Sequence, residues 1–112
     1  MINLMVDHQL DRVFHALSDP TRRSMLRRLA QKERTVTELA DPFMMSLAAA
    51  SKHVRVLENA SLINRTVKGR VHICRLNPRP LAEADEWLRF YQQFWEMRLD
   101  ALEDLLRSED RE

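Results

Sequence analysis

Apolar residues near the start of the chain recur at helical spacing. Val6, Leu10, Val13, Phe14 and Leu17 stand three, four and seven apart, which predicts an amphipathic helix over about residues 6–17. Ser18-Asp19-Pro20 ends it, with Asp19 suited to cap and Pro20 to open a second helix. That helix carries Met25, Leu26, Leu29 and Ala30 on one face and stops near Lys32. Thr35-Val36-Thr37-Glu38 has the pattern of a capping box and opens a short third helix through Leu39 and Ala40. Pro42 then forces an end or a bend near Asp41. Ser46 is the next N-cap candidate, and Ala50, Val54 and Leu57 form the inward stripe of a fourth helix. Two short helices with a tight break between them predict a helix-turn-helix over about residues 35–59.

The period then changes from helical to alternating. Ile63-Asn64-Arg65-Thr66-Val67 and Arg70-Val71-His72-Ile73-Cys74-Arg75-Leu76 flank Lys68-Gly69, the pattern of a β-hairpin over about 63–76 with the glycine at its tip. From Pro80 a long helix runs to about Arg107. Leu81, Leu88, Trp95 and Leu102 form a seven-residue column on it, widened by Leu99 and Leu106. Trp87, Phe90, Tyr91, Phe94 and Trp95 crowd together on more than one of its faces. A body of this size cannot cover all of that surface, so a second copy of the chain is expected to bury the remainder. The expected contacts are Leu10, Val13 and Phe14 on the first helix. On the last they are Leu88, Tyr91, Trp95, Leu99, Leu102 and Leu106.

Length and composition narrow the class. The chain has 112 residues, one domain's worth spanning 1–112. It contains a single glycine, Gly69, so a glycine-rich phosphate loop is impossible and a turn-rich sheet fold is disfavoured. The class is mainly α with a small β-hairpin. No apolar run is long enough to span a bilayer, and Met1–Val6 lacks the pattern of a signal peptide. Cys74 has no second cysteine to pair with. The expected setting is cytoplasmic, with no membrane partner.

The net charge of +1 hides a division. Residues 1–80 hold 14 Lys and Arg against 7 Asp and Glu, whereas residues 81–112 hold 4 against 10. No acid stands between Glu58 and Glu83, while Arg65, Lys68, Arg70, Arg75 and Arg79 all do. A basic body with an acidic tail suggests a polyanionic partner for the body, although a solvated basic face would have the same composition.

Three segments together carry a resemblance. They are Ala16-Leu17-Ser18-Asp19-Pro20-Thr21-Arg22-Arg23, then Thr35 to Ala40, then Met45-Ser46-Leu47-Ala48-Ala49-Ala50-Ser51-Lys52-His53-Val54-Arg55-Val56-Leu57-Glu58 leading on to Lys68-Gly69-Arg70. Over about residues 8 to 106 the chain resembles the ArsR/SmtB winged helix-turn-helix transcriptional regulators. The resemblance implies a winged helix flanked by N- and C-terminal dimerisation helices, and a homodimeric repressor that binds double-stranded DNA at an imperfect palindrome. Two departures stand out. Many relatives have glycine where this chain has Met44 and Ser61, and both positions call for unusual backbone angles.

Opposite the inward stripe of the fourth helix lie Leu47, Ala48, Ser51, Lys52 and Arg55. Ser51, Lys52 and Arg55 can donate to bases or phosphates, and Leu47 or Ala48 can meet a thymine methyl. Thr37 and the Ser46 backbone sit at helix N-termini, where free amides favour phosphate. Lys68, Gly69 and Arg70 form a wing tip that would reach flanking phosphate or the minor groove. His53 is expected beside the wing or on phosphate. Arg22 could instead hold the second helix by pairing with an acid.

Metal-sensing members of the family use a Cys-x-Cys in the third helix, or Asp/His pairs with His/Glu pairs on the last. This chain has neither, and His8, His15, His53, His72 and Cys74 show no ligand spacing. No metal or cofactor is expected. The carboxylates of Glu83-Ala84-Asp85-Glu86 and Glu103-Asp104 have no convergent base, so no catalytic residues are assigned and the chain is not expected to be an enzyme. Two other readings stay open at this point. One is a winged-helix protein-interaction module without DNA readout, which an altered turn at Met44 would favour. The other is a repressor gated by an unknown small molecule or metal.

Overall fold

The structure, a computed structural model, describes residues 4–110 and the side chains of 8–109. The side chain of Val6 and the segment Met1 to Asn3 lie outside them. Two compact units are present: a body through Ala82, and the part of the last helix from Glu83 onward. In chain order the elements are α1 (Leu4–Leu17), α2 (Pro20–Gln31), β1 (Arg34–Thr35), α3 (Val36–Ala40), α4 (Leu47–Asn59), β2 (Ile63–Lys68), β3 (Val71–Leu76) and α5 (Arg79–Asp110). None of the described helices is long and apolar enough to cross a membrane.

The helix starts follow the capping chemistry of the sequence. Asp19 accepts from the Arg22 backbone N–H at 3.0 Å, with Pro20 in the first turn of α2. Thr35 and Glu38 complete a reciprocal capping box on α3, at 3.1 and 3.2 Å. Ser46 Oγ accepts from Ala49 N–H at 3.1 Å at the start of α4. The donated backbone N–H of Arg22 is the main reason that the Asp19 carboxyl sits below its ordinary value, and the Thr35 backbone N–H does the same for Glu38. Both caps are therefore complete above about pH 4 and weaken as pH falls through these lowered values.

The helix ends are less usual. Glycine commonly closes a helix in the left-handed conformation, but this chain offers only Gly69. Arginines take the exposed carbonyls instead. Arg22 and Arg23 reach the carbonyls of His15, Ala16 and Leu17 at the end of α1, at 2.7 to 3.0 Å. Arg34 meets the Arg28 carbonyl near the end of α2, and Arg28 meets those of Glu38 and Leu39 at the end of α3. Backbone bonds join them, from the Ser18 N–H to the His15 carbonyl and from the Lys32 N–H to the Arg28 carbonyl, whereas α4 closes through the backbone without an arginine. The Ser61 N–H bonds the Glu58 carbonyl at 2.9 Å and the Leu62 N–H bonds the Leu57 carbonyl at 3.0 Å. That is a Schellman motif with serine, φ 59°, in the glycine position. Leu57 and Leu62, both fully buried, supply the apolar contact that goes with it.

The core of the body holds Val13, Ala16, Met25, Leu39, Ala50, Val54, Leu57, Leu62 and Cys74. Two expectations change on α2: Ala30 is exposed, and Arg22 takes its place on the buried face beside Met25, Leu26 and Leu29. The sheet has a strand that the sequence pattern did not reveal. β1 pairs antiparallel with β3, which pairs antiparallel with β2, in the order β1-β3-β2. The hairpin turn falls one residue later than expected, at Gly69-Arg70, because Lys68 pairs with Val71. Gly69 at φ 61° followed by a residue outside the positive-φ region is the pattern of a type II′ turn.

Met44 and Ser61 are the two non-glycine residues with positive φ among the described residues. Left-handed backbone costs a side-chain-bearing residue about 1–2 kcal/mol, part of which glycine gives back as chain entropy. Met44→Gly and Ser61→Gly are each expected to stabilise the fold by about 0.5–1 kcal/mol. Thermal melting at fixed protein concentration checks this, and a lower midpoint in either variant would contradict it.

Candidate nucleic-acid interface

The break between the two short helices is a single 3-10 turn, Asp41–Phe43, closed by Met44 at φ 52° and ψ 30°. Those angles are the ones a glycine would adopt there, so Met44 delivers an ordinary tight turn with its side chain 96% exposed. The altered-turn argument for a module that no longer reads DNA loses its basis. Ala50, Val54 and Leu57 point fully inward from α4. Leu47, Ala48, Lys52 and Arg55 are exposed and Ser51 is half-buried.

A cleft of about 370 Å³ opens where α3, α4 and the hairpin converge. Thr37, Leu47, Ser51 and Arg70, assigned to DNA from three separate segments, all line it. Val36, Arg65, Val71 and His72 complete much of its wall. Lys68, Gly69 and Arg70 are exposed at the hairpin tip. Among the described residues the side chains of Lys52, Arg55, Lys68 and Arg70 make no hydrogen bond or ion pair within the protein. Most other cations of the body are engaged. Arg22, Arg23, Arg28 and Arg34 cap helices, Arg65 pairs with Glu58, and Arg75 pairs with Glu33. The basic charge left free on this unit thus includes the outer face of α4 and the wing.

His53 and Arg22 stand elsewhere than expected. His53 sits one turn from Ala50 and Leu57, next to the inward stripe. Its Nδ1 is 3.3 Å from Arg22 Nη1 and 4.0 Å from an Asp19 carboxylate oxygen. It therefore faces the start of α2 rather than the wing. Arg22 is buried, and it donates from Nε to the Ala16 carbonyl at 2.8 Å and from Nη2 to the His15 carbonyl at 3.0 Å. An arginine has no acceptor, so His53 Nδ1 must accept and its proton lies on Nε2. Arg22 joins α1, α2 and α4, and its partners are carbonyls and a histidine rather than an acid. Helical spacing already carried this signal, since Arg22, Met25, Leu26 and Leu29 fall on one face.

Comparison with known proteins agrees with this geometry. A family model described as a helix-turn-helix domain matches residues 17–66. The HTH-type transcriptional regulator Rv2034 of Mycobacterium tuberculosis is 35% identical over 99 residues, covering 88% of this chain and 90% of that one. The transcriptional repressor SdpR of Bacillus subtilis is 33% identical over 79 residues, 70% of this chain and 88% of its own. The crystal structure of the ArsR family transcriptional regulator RHA00566 is 41% identical. It superposes with a TM-score of 0.76 over 80% of this chain and 93% of its own. This chain belongs to the ArsR family of helix-turn-helix transcriptional regulators. At the level of fold it also matches the homodimeric winged helix-turn-helix DNA-binding domain Mb0332 of Mycobacterium bovis. That match has a TM-score of 0.62 and 24% identity over 88% of each chain.

In this ArsR-family chain the apolar residues of α5 are open. Leu88, Tyr91, Trp95, Leu99, Leu102 and Leu106 recur at spacings of three and four and are exposed by 40% (Leu88) to 60% (Leu99). On α1, Leu10 is half-buried and Phe14 exposed. Val13 is a correction. It is 1% exposed within a single chain, packed into the body's own core, and so has no surface to offer a second copy.

No group of three or more metal-binding side chains occurs among the described residues. Cys74 is fully buried on β3, and burial pushes its thiol above the ordinary range. A buried thiol with less thiolate is a poor nucleophile. Ellman's reagent at pH 8 is expected to leave Cys74 unreacted in the folded protein and to react with it once urea has unfolded the chain. Rapid reaction before unfolding would contradict that placement.

Proposed function

We propose that this regulator acts in the cytoplasm as a homodimeric repressor. It lays two copies of α4 into successive major grooves, at an imperfect palindrome with half-sites about one helical turn apart. The observation that carries the proposal is the convergence of Thr37, Leu47, Ser51 and Arg70 on one cleft, flanked by the unpaired cations Lys52, Arg55 and Lys68. In this arrangement Lys52, Arg55 and Ser51 contact base edges and nearby phosphates, and Leu47 and Ala48 meet thymine methyls. The α3 N-terminus at Thr37 and the Ser46 backbone contact phosphate. The wing residues Lys68, Gly69 and Arg70 follow the flanking backbone. His53 orients α4 through Arg22 instead of touching DNA.

The α5 stripe supports dimerisation, because six apolar side chains at coiled-coil spacing would remain in water on a monomer. Leu10 and Phe14 on α1 offer a second apolar patch to the partner. The homodimeric state of the Mycobacterium bovis domain agrees with this arrangement, and repression agrees with the function of SdpR.

The test is selection of duplexes from a randomised pool, followed by fluorescence anisotropy at two salt concentrations. The expected result is enrichment of a two-fold symmetric site bound about a thousandfold more tightly than a scrambled duplex, with affinity falling steeply as salt rises. No enrichment, together with weak binding equal on all duplexes, would overturn the DNA-reading role.

A further inference from the structure

The hairpin is tethered to α4 by one side chain. Arg65, on β2, pairs through Nη2 with Glu58 Oε1 near the C-terminal end of α4. Through Nη1 it meets His72 Nδ1, on β3, at 3.1 Å. Its third nitrogen, Nε, is buried without a partner. That orphan nitrogen is a desolvation cost set against the two contacts the guanidinium makes.

The location of this tether matters. β1 pairs only with Cys74 and Ile73, so the sheet is three strands wide there and two strands wide from His72 to the tip. A two-stranded ribbon has little stiffness of its own. Gly69 lies four residues beyond Arg65, which places the tip about 13 Å away at the usual rise of a strand. A swing of about ten degrees at Arg65 would then carry the tip about 2 Å, enough to break a hydrogen bond that needs roughly 2.7–3.2 Å. Arg65 and His72 also line the same cleft as Thr37, Ser51 and Arg70.

We propose that Arg65, locked between Glu58 and His72, is a positioning residue that fixes the reach of the wing relative to the recognition helix, so that Arg70 meets DNA only while this tether holds. The inference rests on the DNA-binding role proposed above. Glu58 is the better residue to alter. Glu58→Gln keeps the Arg65 charge in the cleft while removing the charged acceptor that aims it.

The experiment measures anisotropy on the duplex that the wild-type protein selects from the randomised pool. It compares wild type, Glu58→Gln, Arg70→Ala and the double variant across a salt series, with melting curves for each. Arg70→Ala should weaken binding about tenfold and lower the salt slope by about one phosphate contact per protomer. Glu58→Gln should weaken binding by a similar factor and lower the slope equally, although no charge that faces DNA has been removed. The double variant should bind no more weakly than the weaker single variant. Losses that multiply in the double variant would overturn the proposal, as would unchanged affinity in Glu58→Gln. Lys52→Ala, measured alone and combined with Glu58→Gln, is the control, and its loss should multiply with that of Glu58→Gln. A wild-type protein that selects no duplex would mean instead that the DNA-reading role itself is wrong.

Discussion

Alanine at both Lys52 and Arg55 will remove the preference for operator duplex and leave a folded dimer. Each side chain is exposed on the outer face of α4 with no partner in the protein, so its loss should change stability by no more than about 0.5 kcal/mol. A well-aligned contact to a base edge contributes about 1–3 kcal/mol of discrimination. Two such side chains in each of two protomers therefore carry most of a thousandfold preference. Anisotropy on selected and scrambled duplexes should give nearly equal dissociation constants for the double variant. Sedimentation should give the same mass as wild type. Retained preference would mean that sequence is read elsewhere, and loss of the dimer would mean that these residues lie in the subunit interface.

The second large effect concerns the fold. Arg22→Met should destabilise the protein by about 3–4 kcal/mol, since hydrogen bonds from a charged group contribute about 1.5–3 kcal/mol each and the buried Ala16 carbonyl is left unmatched. The Ala16 carbonyl and the Nδ1 of His53 lose their partner, whereas the His15 carbonyl keeps the Ser18 N–H and hydroxyl. Lysine at 22 should recover only a small part, because one ammonium cannot reach three acceptors spread around a planar guanidinium. Urea unfolding of both variants reads the effect. A loss below about 1 kcal/mol would show that Arg22 is replaceable packing rather than the joint between α1, α2 and α4.

The positions of the helix starts were legible because each depends on residues adjacent in the chain. Asp19-Pro20, Thr35 with Glu38, and Ser46 need only a local hydrogen bond, and all three are made. The inward stripe of α4 was legible for the same reason, since period alone fixes a face. β1 was not. Two residues cannot show alternation, and Arg34-Thr35 becomes a strand only because Ile73 and Cys74 are beside it. Val13 shows a different limit: helical spacing identifies an apolar side chain but not whether its own chain or another covers it. Arg22 and His53 were visible in principle. Both fall at helical spacing beside buried apolar residues, but charge suggested an acid as the partner of Arg22, and polarity placed His53 beside the wing or on phosphate. The hairpin slipped by one residue because its only glycine must occupy the positive-φ site of the turn, which moves Lys68 into the strand.

The arginines that close α1, α2 and α3 give this protein an unusual chemical exposure. Many helices end at a glycine, which has no side chain to modify. Here guanidinium groups share that role with the backbone, and guanidinium is a target of dicarbonyl reagents such as methylglyoxal. The same functional group thus bonds helix ends in the body and stands exposed on the outer face of α4 and at the hairpin tip, at Arg55 and Arg70. Modification of Arg55 and Arg70, which are exposed, would leave the helix ends intact. Arg23, which bonds the Leu17 carbonyl, is exposed as well, so the same reagent would loosen the end of α1 while the buried Arg22 is spared.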